Sequence, residues 1–395
     1  MRQWNGWPGM RLLLIGVLAM CSATGGCKET VWQLWDAYAA RFIDAHSGRV
    51  FDPSGDQRTT SEGQAYAMFF ALAGNDRAAF DRVLGWTRQN LAQGDLAAHL
   101  PAWLWGKNKD GEWKPLDTNP AADADVWMAY TLLEAGRLWN LSSYTLQGKA
   151  MLALIAKSEV AELPGFGPML LPAPSGFQHD KSWMLNPSYL PCFLFERLAV
   201  YDPAGPWKKI ATGIPRLLNE SARHGYAMDW IDYVPGDGFY PAVLPAQPNP
   251  GSGPVAGWAG GSYDAIRVYL WAGMLDGHDA LRPAVLNAVP ALGAYLADHD
   301  APPEKISDQG IPLEQDGPVG FSAAALPYLR AYPDLSKAMV RQLARLNAQR
   351  DPKSGLYGKN IAYYDQNLAL FATGFLEDRF RFGATGELIV GWKRK

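Results

Sequence analysis

The sequence predicts an all-α protein, an (α/α)6 barrel of six inner and six outer helices, with one small irregular or β excursion near 225–261. Three observations predict it. Apolar positions recur with helical spacing in twelve stretches. Short breaker clusters join consecutive stretches into hairpins. Within a hairpin one helix is apolar all round, whereas its partner carries a charged stripe, the mark of one buried and one water-facing helix.

Taken in order, the helical stretches run near Thr30 to Ala45, Ser61 to Ala73, Arg77 to Ala92, Asp123 to Trp139, Tyr144 to Val160 and Pro187 to Tyr201. The remainder run near Trp207 to Arg223, Tyr263 to Leu275, Ala280 to Ala297, Gly320 to Tyr332, Leu335 to Ala348 and Tyr363 to Phe375. Gly74-Asn75-Asp76, Asp202 to Pro206 and Tyr332-Pro333-Asp334 are the tight turns between partners. Arg77, Asp81, Arg82 and Arg88 give the stretch from Arg77 its polar face. An open helical solenoid or two bundles fits the same periodicity. Between the seventh and eighth stretches, Trp230 to Val234 reads as a strand and Pro245 to Gly257 as a Pro/Gly-rich loop. No composition shift or repeat divides the chain, so residues 28–395 are expected to form a single domain.

Residues 1–27 read as an export signal: a basic start, an apolar run from Leu12 to Cys21 too short to span a bilayer, then small residues up to Cys27. Thr24-Gly25-Gly26-Cys27 also fits a lipoprotein processing box with Cys27 as the acylated residue; ordinary cleavage leaves it a plain one. The mature chain is then expected in the periplasm or outside the cell, with no transmembrane segment. Only Cys27 and Cys192 remain to pair. A net charge of −3, with no Lys/Arg run longer than the last few residues, argues against nucleic acid. The six His are scattered and no CxxC occurs, so neither a metal nor a cofactor is expected. The 16 Trp and 17 Tyr supply rings that stack on sugar faces as well as fill cores.

Three segments place acids at inner-helix starts. In Thr59-Thr60-Ser61-Glu62-Gly63-Gln64, Thr59 and Glu62 have the spacing of a capping box, while Gly63 suits the close approach of a ligand. In Ala122-Asp123-Ala124-Asp125-Val126-Trp127, an N-cap explains one Asp, not both. In Ser262-Tyr263-Asp264-Ala265-Ile266-Arg267, Ser262 is positioned to cap and free Asp264, and Arg267 either holds it ionised or forms a plain surface pair with it. Three acids at one barrel mouth suit glycoside hydrolysis, which needs one protonated and one ionised carboxyl. Trp103, Trp105, Tyr189, Trp230 and Tyr263 are the candidate stacking rings, each also a plausible core residue.

With Leu100 to Lys107, Asn186 to Pro191 and Gly317 to Ala324, these segments run in order along nearly the whole mature chain. In this order they resemble glycoside hydrolase family 8, and within it the periplasmic endoglucanases encoded with bacterial cellulose synthases. The resemblance implies an (α/α)6 barrel and endo-hydrolysis of β-1,4-glucan with inversion. It makes Glu62 the general acid, Asp264 the general base and Asp123 the residue that holds the cleaved sugar, with Asp125 and Arg267 among the substrate-binding residues. It also names a β-1,4-glucan chain and the cellulose synthase complex as partners. Ala124 stands where Gly or Ser is usual, and the loop Pro245 to Gly257 is longer than in those enzymes. Chitosanase, xylanase or mixed-linkage glucanase activity, or glucan binding without turnover, are the rival functions. A helix N-terminus lowers a carboxyl pKa, so a general acid at Glu62 requires desolvation or repulsion from Asp123 to outweigh the dipole.

Overall fold

A computed structural model describes residues 31–244, 257–314 and 316–393. The expected leader with Cys21 and Cys27, and most of the Pro/Gly-rich loop, lie outside the described residues. Residues from Trp32 onward form one compact unit. Its helices are α1 Gln33–Phe42, α2 Ser61–Ala73, α3 Arg77–Asn90, α4 Ala122–Leu138, α5 Ser142–Ser158, α6 Cys192–Tyr201 and α7 Trp207–Ser221. They continue as α8 Ala265–Met274, α9 Arg282–Ala288, α10 Ala291–Asp298, α11 Val319–Arg330, α12 Ser336–Ala348 and α13 Tyr363–Leu376.

The architecture is an (α/α)6 barrel with small sheets. Helices α2, α4, α6, α8, α11 and α13 are buried on nearly every face and form the inner ring. Their axial core is aromatic: Trp127 lies within 5.0–6.0 Å, ring centre to ring centre, of Phe69, Phe193, Trp271 and Phe371, so five inner helices meet on one tryptophan. The outer helices α3, α7 and α12 bury only one stripe. The expected helix over Ala280 to Ala297 is two, α9 and α10, because Pro290 offers no N–H to continue the first and serves as the N-cap of the second. Likewise Pro187–Tyr189 is a separate 3-10 turn and Pro191 the N-cap of α6.

Links from inner to outer helices are a few residues long, as at Gly74-Asn75-Asp76; links from outer to inner helices are long and carry most of the strands. The strands are β1 Thr59–Thr60, β2 Ala102–Lys107, β3 Trp113–Pro120, β4 Val160–Leu163, β5 Gly167–Leu170, β6 Trp183–Leu185, β7 Ile231–Val234, β8 Gly238–Pro241, β9 Gly260–Gly261, β10 Lys305–Ser307, β11 Pro312–Glu314, β12 Phe380–Phe382 and β13 Leu388–Val390. They form antiparallel sheets β1-β2-β3, β4-β5, β6-β7-β8, β9-β10-β11 and β12-β13. The single β excursion expected at 225–261 is therefore one of several. Sheets β1-β2-β3, β6-β7-β8 and β9-β10-β11 lie in the links that enter α2, α4, α6, α8 and α11. The β12-β13 hairpin, by contrast, follows the last helix and closes the other end, where Phe382 stacks on Phe193 at 3.9 Å and Phe380 meets Phe69 at 4.9 Å. Cys192 is buried in α6. Among the described residues no helix is long and apolar enough to cross a membrane.

Candidate active site

The long links deliver Glu62, Asp123 and Asp264 to the N-terminal ends of α2, α4 and α8, and one guanidinium joins them. Arg267, one turn into α8 and with only 4% of its side chain exposed, donates from Nη1 to Glu62 Oε2 at 2.7 Å and to Asp123 Oδ2 at 3.3 Å, and from Nη2 to Asp264 Oδ1 at 2.6 Å. Nη1 also reaches the Tyr66 hydroxyl at 3.2 Å. Because the planar guanidinium fixes its two nitrogens, the bonded oxygens of Glu62 and Asp264 lie within about 8 Å of each other, close enough to flank one glycosidic bond. Glu62 and Asp264 keep a quarter or more of their side chains open to solvent, whereas Asp123 is sealed beneath them. Burial first, and then the Glu62 charge, hold the Asp123 carboxyl well above the usual carboxylate range; Arg267 and the Ala124 N–H pull the other way.

The local reasons differ from those the sequence suggests. Thr60, not Thr59, caps α2, accepting from Gly63 N–H at 3.1 Å, and the Glu62 carboxylate reaches Arg267 instead of back to the helix start. Thr59 donates to Val50 O at 2.6 Å. Gly63 makes room for protein, not ligand: a Cβ there would stand 2.1 Å from the Tyr363 hydroxyl. Ser262 does not cap α8 either. Its hydroxyl donates to Glu304 O at 2.7 Å, and the cap comes from Asp229, whose Oδ1 accepts from Ser262 N–H and Ala265 N–H, both at 2.7 Å. Asp229 sits in the irregular link before α8, without a periodic pattern to mark it.

Asp125 does not line the mouth. It is fully buried beside the equally buried Glu159 at the end of α5. No N–H or O–H of another described residue reaches any of their four oxygens, so one carboxyl must carry the proton between them. Burial raises both well above the carboxylate range. Arg267, expected to touch substrate or to pair at the surface, is instead the buried hub of the acids.

The aromatics divide. Trp103, 37% exposed, projects from β2, which pairs with β1 immediately before Glu62. Trp105 has no open platform: Trp113 stacks on it at 5.0 Å, Trp86 meets it edge-on at 5.2 Å and Arg49 lies over it at 4.4 Å. Tyr189 lies 5.8 Å from the Arg267 guanidinium carbon, with its phenol pushed up by burial, and Trp230 continues from it, stacked on Phe177 at 5.6 Å. Tyr263 is exposed at the mouth; its hydroxyl donates to Glu304 Oε1 at 3.0 Å, and its carbonyl accepts from the Tyr364 hydroxyl. Among the described residues no cluster of His, Cys, Asp and Glu could hold a metal ion.

An (α/α)6 barrel whose mouth carries three acids on a shared arginine, flanked by exposed aromatic rings, defines a glycoside hydrolase. The chain belongs to the glycosyl hydrolases family 8, whose family model matches residues 6–376. It is 46% identical to an endoglucanase of Xanthomonas axonopodis pv. citri over 386 residues, covering 96% of this chain and 95% of that protein. It is 43% identical to an endoglucanase of Escherichia coli (strain K12) over 377 residues, covering 95% of each. The crystal structure of an endo-1,4-D-glucanase from Vibrio fischeri ES114 superimposes with a TM-score of 0.80 at 36% identity, covering 92% of this chain and 100% of that one.

Proposed function

We propose that this glycoside hydrolase is an endo-β-1,4-glucanase that cleaves glucan chains with inversion. The observation that carries the reading is the single buried guanidinium that ties Glu62, Asp123 and Asp264 together at an open, aromatic-flanked mouth. Glu62 serves as general acid and passes its proton to the glycosidic oxygen as the bond to the anomeric carbon breaks. Asp264 serves as general base and takes a proton from the water that bonds to that carbon from the opposite face. Asp123 lies beneath the pair on the shared Arg267, and the family resemblance gives it the role of holding the cleaved sugar. Trp103 and Tyr189 flank the chain, Trp103 offering its face to a glucose ring. The leader supports export to the periplasm or beyond, residues 28–395 forming the exported domain, and service to cellulose synthesis in contact with the synthase complex follows from the family resemblance.

Proton NMR of a fresh cello-oligosaccharide hydrolysate tests the chemistry. The α-anomer is expected first, with slow mutarotation to the equilibrium mixture. A β-anomer at early times would make Asp264 a nucleophile and end the inverting assignment.

A further inference from the structure

Asp264 occupies the N-cap position of α8, where an aspartate ordinarily folds its carboxylate onto the free N–H groups of the first turn. Here it makes no such bond, and its Oδ1 accepts from Arg267 Nη2 at 2.6 Å instead. Asp229 takes over the capping, with one oxygen accepting from Ser262 N–H and Ala265 N–H, both at 2.7 Å and one on either side of Asp264. It is itself anchored: 6% exposed, it donates its N–H to Gly260 O at 2.8 Å, and two residues earlier Ala227 N–H donates to the Tyr269 hydroxyl at 2.9 Å.

We propose that Asp229 is a positioning residue for the hydrolytic water, capping α8 in place of Asp264 so that the second oxygen of Asp264 stays free to take the water's proton. The inference rests on Asp264 as the general base. Charge reinforces the geometry. The groups facing Asp229 are Asp264, Arg267 and Tyr269 of α8 and Tyr364 of α13. Burial, and then the Asp264 charge, push the Asp229 carboxyl up to about 7. In mildly acidic solution Asp229 therefore carries a proton, and its uncharged carboxyl still accepts both N–H groups through one oxygen.

The test compares Asp229→Ala with Asp229→Asn, in kcat and KM on cellohexaose per folded protein and in melting temperature. Alanine leaves two N–H groups unmet and lets Asp264 fold back to cap them; kcat is expected to fall about 100-fold with KM within about threefold. The asparagine amide oxygen accepts both N–H groups and carries no charge, like the protonated acid, so kcat is expected within about threefold of wild type. If Asp229→Ala does not fold, Asp229→Ser replaces it, being too short to span both N–H groups; equal kcat for Ser and Asn overturns the proposal, as does a loss of kcat that only follows the loss of folded protein.

Azide separates this inference from the one beneath it. With an aryl β-cellobioside, azide bonds to the anomeric carbon as the aryl oxygen leaves, and needs no base. It is expected to restore turnover to Asp264→Ala and Asp229→Ala alike. Rescue of the first without the second sinks the role of Asp229 alone; no rescue of Asp264→Ala removes the base assignment, and the role of Asp229 with it.

Discussion

The two ends of the barrel are built from the same side chains in opposite proportion. At the mouth one arginine, Arg267, faces three carboxyl groups. At the closed end one carboxylate, Glu134, faces two arginines: its Oε1 accepts from Arg197 Nε at 2.7 Å and from the Tyr201 hydroxyl at 3.1 Å, and its Oε2 from Arg137 Nε at 3.0 Å and from Leu388 N–H at 2.9 Å. Both clusters rest on α4, some eleven residues or about 16 Å apart along its axis. At the closed end each oxygen has at least two donors, and the cluster pins the β12-β13 hairpin to the barrel. At the mouth the carboxyl groups outnumber the guanidinium, and burial favours the protonated form of Asp123. A satisfied cluster is structure; an under-supplied one is acid–base chemistry.

If that contrast is right, Glu62→Gln should lower kcat on carboxymethylcellulose by about 10²–10⁴-fold without lowering the melting temperature, because it removes a proton donor and a repulsion together. A stability loss matching the activity loss would make the mouth a structural cluster like the other. The mirror experiment is Glu134→Ala, which strands two guanidinium groups and frees the C-terminal hairpin. It should destabilise the fold by about 3 kcal/mol in denaturant titration while kcat per folded molecule holds.

The acids buried around the inner-helix starts, among them Asp365 in the first turn of α13, should also make stability pH-dependent. Burial raises Asp365 to about 6 and Asp229 to about 7, and raises Asp123, Asp125 and Glu159 well above their ordinary values. The folded chain thus binds protons more tightly than the unfolded one. Their contribution is fully present below about pH 4 and is lost as pH rises through the folded values, near 6 for Asp365 and 7 for Asp229. Melting temperatures from pH 5 to pH 8.5 should show the fall, and the pair Asp125→Asn with Glu159→Gln should flatten it; an unchanged slope would mean that the pair does not carry its proton. The smallest expected effect is Trp103→Ala: a KM increase of about fivefold from lost stacking, with melting unchanged. Unchanged KM with reduced stability would return Trp103 to the core.

The inner helices were legible because burial on all faces and a breaker at each end leave a plain trace; Ser61–Ala73 has the same bounds in both readings. The β2-β3 hairpin was not, since the run Trp113–Pro120 is exposed along most of its length and so shows no alternation. Pro290 divides a stretch whose apolar spacing reads as one helix from Ala280 to Ala297. At the site, the three acids were legible from their place before apolar helices. Their partners were not. Glu159 looks like one more solvated residue at a helix end, and Asp229 lies where no period operates; only the folded arrangement brings either beside an acid of the opposite element.

The unequal links between helices have a consequence for how such an enzyme changes over generations. Short inner-to-outer turns tolerate little, but each long outer-to-inner link can grow or shrink at a closure cost that rises by only about 0.6 kcal/mol per doubling. What the mouth accepts can therefore change by insertion and deletion in the links, with the inner ring and the acids at its helix starts left in place.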